Sequence, residues 1–318
     1  MHLSTSERRL KVDLIIFHRN CPDGFCAAFI AHQRYPEAKL LARDHGLEPP
    51  YAEVKGKDVL VVDFSWRTRE QNLELAELSK TFRILDHHKT AQETLQGLDF
   101  ATFDMNRSGA GLAWDYLFGE DSRQIIVRPR PWYVDYVEDR DLWRKALPYT
   151  DEVNAYIMTL PYDFTAWEGL AAMKTYEEAA FKGQGALAHV KHYVREALTN
   201  ARAGKLVGYE AMIINALYMN ISEVAGELAK LCDGIGIGYF ERGDGIMQFS
   251  LRSRNEVDVS AIAKQLGGGG HRNAAGFQLP VAQGRLFVDR VIGRYIGPQV
   301  FPESFTSLFP TNQLLHFQ

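Results

Sequence analysis

The stretch Ile84-Leu85-Asp86-His87-His88-Lys89-Thr90 decides how this chain is read. A short apolar run ends in an acid and two adjacent histidines, and a lysine follows at once. Runs of this length suit a strand buried inside a sheet. An acid and a histidine at the end of such a strand can hold a divalent metal. The second histidine and the lysine can face an anion held by that metal.

The same pattern recurs on either side of this stretch. Residues 12–17 (Val-Asp-Leu-Ile-Ile-Phe) read as a strand that runs into His18-Arg19-Asn20-Cys21-Pro22-Asp23-Gly24, where proline and glycine stop it. Residues 25–35 then have helical character, with small Ala27, Ala28 and Ala31 suited to close packing. Residues 59–62 read as a second strand, with Asp63 at its carboxyl end and a helix beginning near Thr68. Residues 82–85 are a third, ending in Asp86-His87-His88. Three apolar runs that finish in acids or histidines before a helix predict a parallel α/β sheet. Ligands of such sheets bind beyond the carboxyl ends of the strands. His18, Asp23, Asp63, Asp86, His87 and His88 are therefore expected to share one site.

Further along, Ser108-Gly109-Ala110-Gly111 opens a helix. Ser108 is a good N-cap, and free amides there suit a phosphate; a capped helix with small packing residues is the plain alternative. Residues 131–143 are helix-like and carry Glu138-Asp139-Arg140-Asp141. Such a charge run is usually a solvated helix end. In a chain already rich in ligand candidates, Asp139 and Asp141 join them. Residues 165–200 are rich in Ala, Glu, Lys and Leu and read as one or two connecting helices, broken by Gly183 and Gly185, with His189 and His192 on the surface. A second unit starts near 211–217, with a helix over 222–231, strands near 235–240 and 246–252, and a helix over 258–266. Gly267-Gly268-Gly269-Gly270-His271-Arg272-Asn273-Ala274-Ala275-Gly276-Phe277 follows. Four consecutive glycines are unfavourable in backbone entropy, which implies that something approaches the main chain closely. Residues after about 281 give no readable signal.

Composition narrows the class. A chain of 318 residues is long enough for two domains, and 46% hydrophobic with 24% charged residues fits a globular protein. Net charge is −4 and the isoelectric point about 6.2, so the global basic footprint of duplex binders is missing. Acidity is compatible with a phosphate substrate, because a bound metal can be the largest local charge. No apolar run approaches the roughly 18 to 20 residues that cross a bilayer, and the polar start lacks a secretion signal. Cys21, Cys26 and Cys232 make no zinc-type pair and no disulfide framework. A cytoplasmic protein without a membrane partner is the expectation.

Mixed carboxylate and imidazole donors suit Mn²⁺, and also Fe, Co or Zn; an all-oxygen set would suit Mg²⁺. Eight candidates exceed the needs of one ion, so two ions sharing a carboxylate are expected. Such a pair, about 3.5 to 4 Å apart, clamps the attacking and leaving oxygens of a phosphoryl displacement and lowers the pKa of a water between them.

These residues resemble the Asp-His-His (DHH) phosphoesterase superfamily, which includes RecJ-type nucleases, nanoRNases, cyclic-dinucleotide phosphodiesterases and manganese pyrophosphatases. Asp86-His87-His88 is similar to the signature at a strand end, and Gly267 to Phe277 to the glycine-rich motif of the associated DHHA1 domain. His18 to Ala28, Asp63, Ser108-Gly109-Ala110 and Asp139 to Trp143 stand in the family's order, over roughly residues 12–280. The resemblance implies a catalytic DHH domain over 1–185, a helical linker over 186–205, and a smaller α/β DHHA1 substrate domain over 206–318 that closes on the first. It implies two Mn²⁺ ions, with Mg²⁺, Co²⁺ or Fe²⁺ as alternatives. His18, Asp23, Asp63 (bridging), His87, and Asp139 or Asp141 would hold them. Asp86 would orient a neighbouring histidine, and His88 and Ser108 would lie by the phosphate. Arg252, Arg254, Gly268, Gly269, Gly270 and His271 would hold the substrate. Many members carry two aspartates one residue apart in the first motif; here it reads Cys21-Pro22-Asp23, so one acid is missing. Either the second ion has fewer protein ligands or His18 reaches further in.

The expected activity is metal-dependent hydrolysis of short nucleotides, such as the linear dinucleotide pGpG or short oligoribonucleotides, through attack of water on phosphorus. A single-strand exonuclease, a cyclic-dinucleotide or bisphosphonucleoside phosphatase, and a polyphosphatase are the alternatives within enzymes; a nucleotide-binding module that has lost activity is the alternative outside them. A pyrophosphatase fits less well, since the glycine-rich motif points to the nucleotide-cleaving branch. Duplex nucleic acid is not an expected partner, and a homodimer is open.

Overall fold

Five short strands build the first sheet of the computed structural model, in which residues 11–119, 128–254 and 256–294 are described. In chain order the elements are β1 (Leu14–His18), α1 (Pro22–Arg34), β2 (Lys39–Arg43), α2 (Tyr51–Val54), β3 (Asp58–Val62), α3 (Arg69–Leu78), β4 (Thr81–Asp86), α4 (Lys89–Leu95), β5 (Ala101–Phe103), α5 (Gly109–Phe118), α6 (Trp132–Asp141), α7 (Thr150–Ile157), α8 (Phe164–Ala171) and α9 (Tyr176–Leu198). All pairings are parallel, in the order β2-β1-β3-β4-β5. The chain winds outward from β1 to β2 and then reverses to β3, so β1 and β3 flank the switch point where this strand order places its ligands.

Both faces of the sheet are covered, which explains why its central strands lack a polar alternation. Ile15, Phe17, Leu60, Val62 and Leu85 pack on one face with Phe29, Ala113 and Leu117 of α1 and α5. Leu14, Ile16, Val59, Val61 and Ile84 pack on the other with Leu75 and Leu95 of α3 and α4. Each fully buried Leu or Ile contributes roughly 1.5–3 kcal/mol. β2 and β5 went unread in the sequence because they are edge strands: β2 is only partly buried and β5 is three residues long. Thr68 caps α3 through a capping box with Gln71. α9 is continuous through Gly183 and Gly185; a Cβ at Gly183 would lie 1.8 Å from Glu152 O, so that glycine lets α9 press against α7.

The chain divides into two compact units, Met1–Leu187 and Ala188–Gln318. The second holds β6 (Arg202–Leu206), β7 (Tyr209–Asn215), α10 (Ile221–Cys232), β8 (Ile235–Glu241), β9 (Ile246–Ser253), α11 (Val259–Gln265), β10 (Gly269–His271), β11 (Ala274–Pro280) and α12 (Val281–Val291). Its sheet runs β10-β11-β9-β8-β7-β6, antiparallel except for β7 with β8. α10 covers one face through Val224 and Leu228, and Ile262 and Phe287 of α11 and α12 pack with Phe249 and Phe277 on the other. The first part of the segment after residue 281 is the helix α12, whose buried Gly284, Phe287, Val288 and Val291 have helical spacing, and residues 295–318 lie outside the described residues. The glycine run is not an open loop. A Cβ at Gly268 would lie 2.1 Å from Gly276 O, and Gly270 has φ +137°, so the close approach is made by the chain's own β11. No helix among the described residues is long and apolar enough to cross a membrane.

Candidate metal centre

Neighbouring parallel strands deliver their last residues to one place. His18 ends β1, Asp63 follows β3, and Asp86 ends β4 just ahead of His87 and His88. His87 Nε2 lies 3.2 Å from Asp63 Oδ1, 3.5 Å from Asp23 Oδ2 and 3.4 Å from Asp141 Oδ2. His18 Nδ1 lies 3.8 Å from Asp63 Oδ2, and its Nε2 lies 3.7 Å from Asp44 Oδ1. Among the described residues of the first unit, three side-chain groups have donor atoms within 4.8 Å of one another: His18, Cys21 and Asp63; Asp23, Asp63 and His87; and Asp63, Asp86 and His88. Asp63 belongs to all three.

The surroundings hold Asp63 in place. Its amide donates to Leu85 O at 2.8 Å, and its φ of +53° is a left-handed conformation that aspartate tolerates better than most residues. Two glycines give it room. A Cβ at Gly24 would lie 3.0 Å from Asp63 Oδ2, and one at Gly109 only 2.4 Å from Asp63 Cβ.

Asp86 Oδ1 accepts from the backbone amides of His87 and His88 and pairs with His88 Nδ1 at 2.7 Å. That bond fixes the His88 ring and leaves its Nε2 edge directed away from Asp86. Burial would raise the Asp86 carboxyl, but its interaction and hydrogen bond with the His88 ring hold it down to about 2. This is what an orienting carboxylate does.

Ser108 is placed differently from the expectation of a phosphate contact. It is fully buried, and the amides of this helix end are already taken. Ser108 N donates to Glu138 Oε2, Gly109 N and Ala110 N donate to the two oxygens of Asp23 at 2.6 and 2.9 Å, and Gly111 N donates to Ser108 Oγ. The anion at the positive end of α5 is the Asp23 carboxylate. The sequence showed the open amides but not which anion would fill them.

The acids of α6 separate by direction. Asp141 reaches His87, whereas Asp139 accepts from Ala146 N and Leu147 N at 2.9 and 3.3 Å and closes the loop after the helix. Asp139 is therefore structural, and Asp141 is the residue gathered into the cluster. Glu138, buried and missed in the sequence, meets Arg107, Arg130 and Arg144 at 2.8, 3.4 and 3.3 Å. Asp44 and His45 were missed too, although Arg43-Asp44-His45 repeats the strand-end pattern directly after β2. The His45 ring stacks on Phe64 at 4.8 Å and lies 5.3 Å from the His18 ring.

These residues fit divalent metal. Asp63 Oδ1, Asp141 Oδ2 and His18 Nδ1 are buried without a hydrogen-bond partner. Buried polar atoms are normally paired, and three that converge on the same cluster suit a shared cation. Burial and the neighbouring Asp63 and Asp141 push the Asp23 carboxyl well up. Burial pushes Asp141 up as well. Burial works to lower His87, but the close Asp63, Asp141 and Asp23 carboxylates raise it well above the ordinary histidine value.

In the second unit, Arg252, Ala274 and His271 are cross-strand partners in one row of β9, β11 and β10. Arg252 donates to Ser222 Oγ at 2.8 Å and to Ser250 Oγ at 3.1 Å, and Arg254 is exposed. Gly269 lies in β10 between the closely packed Gly268 and Gly270.

A mixed α/β chain with a five-stranded parallel sheet that carries this cluster and a second, six-stranded sheet is the class so defined. Residues 213–295 match the family model of the DHHA1 domain. RecJ of Thermus thermophilus, solved in complex with Mn²⁺, has the same fold over 89% of this chain, with a TM-score of 0.53 and 16% identity. The chain spans 52% of that RecJ. A pGpG-specific phosphodiesterase of Vibrio cholerae, PggH, is similar at a TM-score of 0.46 and 10% identity, over 88% of this chain and 98% of its own. Uncharacterized protein R106 of Acanthamoeba polyphaga mimivirus is 29% identical over 321 residues, which cover 88% of this chain and 70% of R106. The second unit carries a DHHA1 domain, and the chain shares its fold with that RecJ.

Proposed function

We propose that this chain is a divalent-metal-dependent phosphodiesterase of short nucleotides, such as linear dinucleotides and oligoribonucleotides of a few units. The observation that carries the reading is Asp63: one buried carboxylate common to three potential donor groups, with an oxygen that no hydrogen bond satisfies. Divalent ions held by these residues would supply polarisation of a phosphoryl oxygen and a water made nucleophilic near neutral pH. Mn²⁺ is the first ion to try, given the mixed nitrogen and oxygen donors.

The chain's own residues divide the remaining work. Asp63 would be the shared ligand, with His18 beside one of its oxygens and His87, itself close to Asp23 and Asp141, beside the other. Asp44 beside His18 Nε2 directs Nδ1 of that ring toward Asp63. Asp86 orients His88, whose Nε2 can donate to a phosphoryl oxygen. Arg252 and His271, in one row of the second sheet, would hold the substrate's phosphate or base. The acidic balance of the chain favours short substrates over long strands, which are bound along basic grooves.

Incubation of metal-free protein with pGpG, with and without Mn²⁺, tests the activity. Binding without turnover under any divalent metal would overturn the enzyme reading. Substrate length is tested by comparing a dinucleotide with an oligomer of about twenty units; faster cleavage of the longer strand would establish an exonuclease instead.

A further inference from the structure

Cys21 stands between β1 and α1, in extended conformation, and its side chain caps nothing. Its carbonyl closes the first turn of α1 by accepting from Phe25 N at 3.0 Å. The backbone is thus fixed, and the thiol is left beside the cluster. Its sulfur, a nitrogen of His18 and a carboxylate oxygen of Asp63 all lie within 4.8 Å of one another. Donors on one ion with bonds of about 2.0–2.3 Å are separated by at most about 4.6 Å, so three donors gathered to about this limit are compatible with one shared ion. Asp63 is 1% exposed with Oδ1 unbonded, and His18 Nδ1 is buried and unbonded. The other two cysteines are elsewhere: Cys26 is wholly buried in α1, and Cys232 ends α10 in the second unit with its sulfur near backbone carbonyls.

We infer that Cys21 is a thiolate ligand of the metal position formed with His18 and Asp63. This inference rests on the metal reading of the cluster. On coordination the thiol gives its proton to solvent and the sulfur–metal bond forms, with no change in oxidation state. The centre is then asymmetric. The side of His18, Cys21 and Asp63 offers sulfur, nitrogen and oxygen. The side of Asp63, His87, Asp23 and Asp141 offers nitrogen and oxygen only. Thiolate selects softer ions, so the first position favours Zn²⁺, Co²⁺ or Fe²⁺ over Mn²⁺, while the second accepts Mn²⁺ or Mg²⁺.

Cobalt titration of the metal-free full-length chain reads this directly. The wild type should develop sulfur-to-cobalt charge-transfer absorption in the near ultraviolet. Cys232→Ser should keep that band, and Cys21→Ser should lose it while still binding cobalt by equilibrium dialysis. Cobalt binding without the band in the wild type, or an equal band in Cys21→Ser, overturns the thiolate assignment and leaves the metal reading standing. No cobalt binding at all overturns both. A second measurement needs no variant. Zn²⁺ should slow alkylation of Cys21 by iodoacetamide at least about tenfold, read by peptide mass, with Cys232 unaffected in the same sample. Unchanged alkylation of Cys21 in zinc-loaded protein would also overturn the assignment.

Discussion

Asp63 shows how much can depend on one residue. Its carboxylate belongs to three groups that could hold a metal, its backbone is left-handed, and two glycines clear space for it. Asp63→Asn should reduce metal-dependent turnover by more than about a hundredfold, the upper end for losing an outer partner of a ligand. Near-normal turnover would remove the bridging role. Asp139 and Asp141 offer a paired test. Asp141→Asn should weaken metal binding with little loss of stability. Asp139→Asn should destabilise by about 1–3 kcal/mol, because the loop amides lose their charged acceptor, and leave metal binding intact. Calorimetric metal titrations and urea midpoints of the two variants separate these outcomes. His45 governs a pH effect. Burial, together with nearby His18, His88 and Arg67, lowers its pKa from 6.5 to about 3. Between those values the unfolded chain binds a proton that the folded chain refuses, so stability present above pH 6.5 falls as pH drops toward 3. Urea midpoints of metal-free protein from pH 7.5 to 5 should decline more steeply in the wild type than in His45→Phe.

Among elements, α5 and α6 do more for the site than their sequences suggest. The amino end of α5 holds Asp23, its first glycine touches Asp63, and Glu138 of α6 ties back to Ser108 N. Gly109→Ala therefore sets two effects against each other. Helix propensity alone would stabilise by up to about 1 kcal/mol. A Cβ 2.4 Å from Asp63 Cβ forces a shift instead, at a cost of about 1–3 kcal/mol. The expected outcome is a lower melting temperature and weaker metal binding. A rise in melting temperature would show that the space at Gly109 is not needed.

Across the whole molecule, the first unit contains a metal-fitted cluster on its own strands and helices, so metal should stabilise that unit. Ligand at a hundred times its dissociation constant adds about 2.7 kcal/mol to the state that binds it. Scanning calorimetry with EDTA and then with Mn²⁺ should move one unfolding transition upward and leave a second unchanged. A chain whose transitions ignore divalent metal would contradict a metal centre at Asp63.

Much of the centre is legible in the amino-acid sequence. A buried parallel strand needs an apolar run, and such sheets present their ligands at strand ends, so His18, Asp63, Asp86, His87 and His88 follow from local sequence. The glycine run and the acids of α6 are visible there as features but not as roles. Asp139 and Asp141 lie two residues apart at the end of one helix, and only packing decides that one faces His87 while the other closes a loop. The amides at Ser108 are visible as donors, but their acceptor, Asp23, is 86 residues away from Gly109 along the chain. β2 and β5 escape because an edge strand needs no unbroken apolar run, and Asp44 and His45 escape with β2. Sequence determined the buried strands of the first sheet and what chemistry stands at their ends, because those depend on near neighbours. Tertiary structure alone decided which carboxylate meets which donor, because electrostatics and close packing act between residues far apart in the chain.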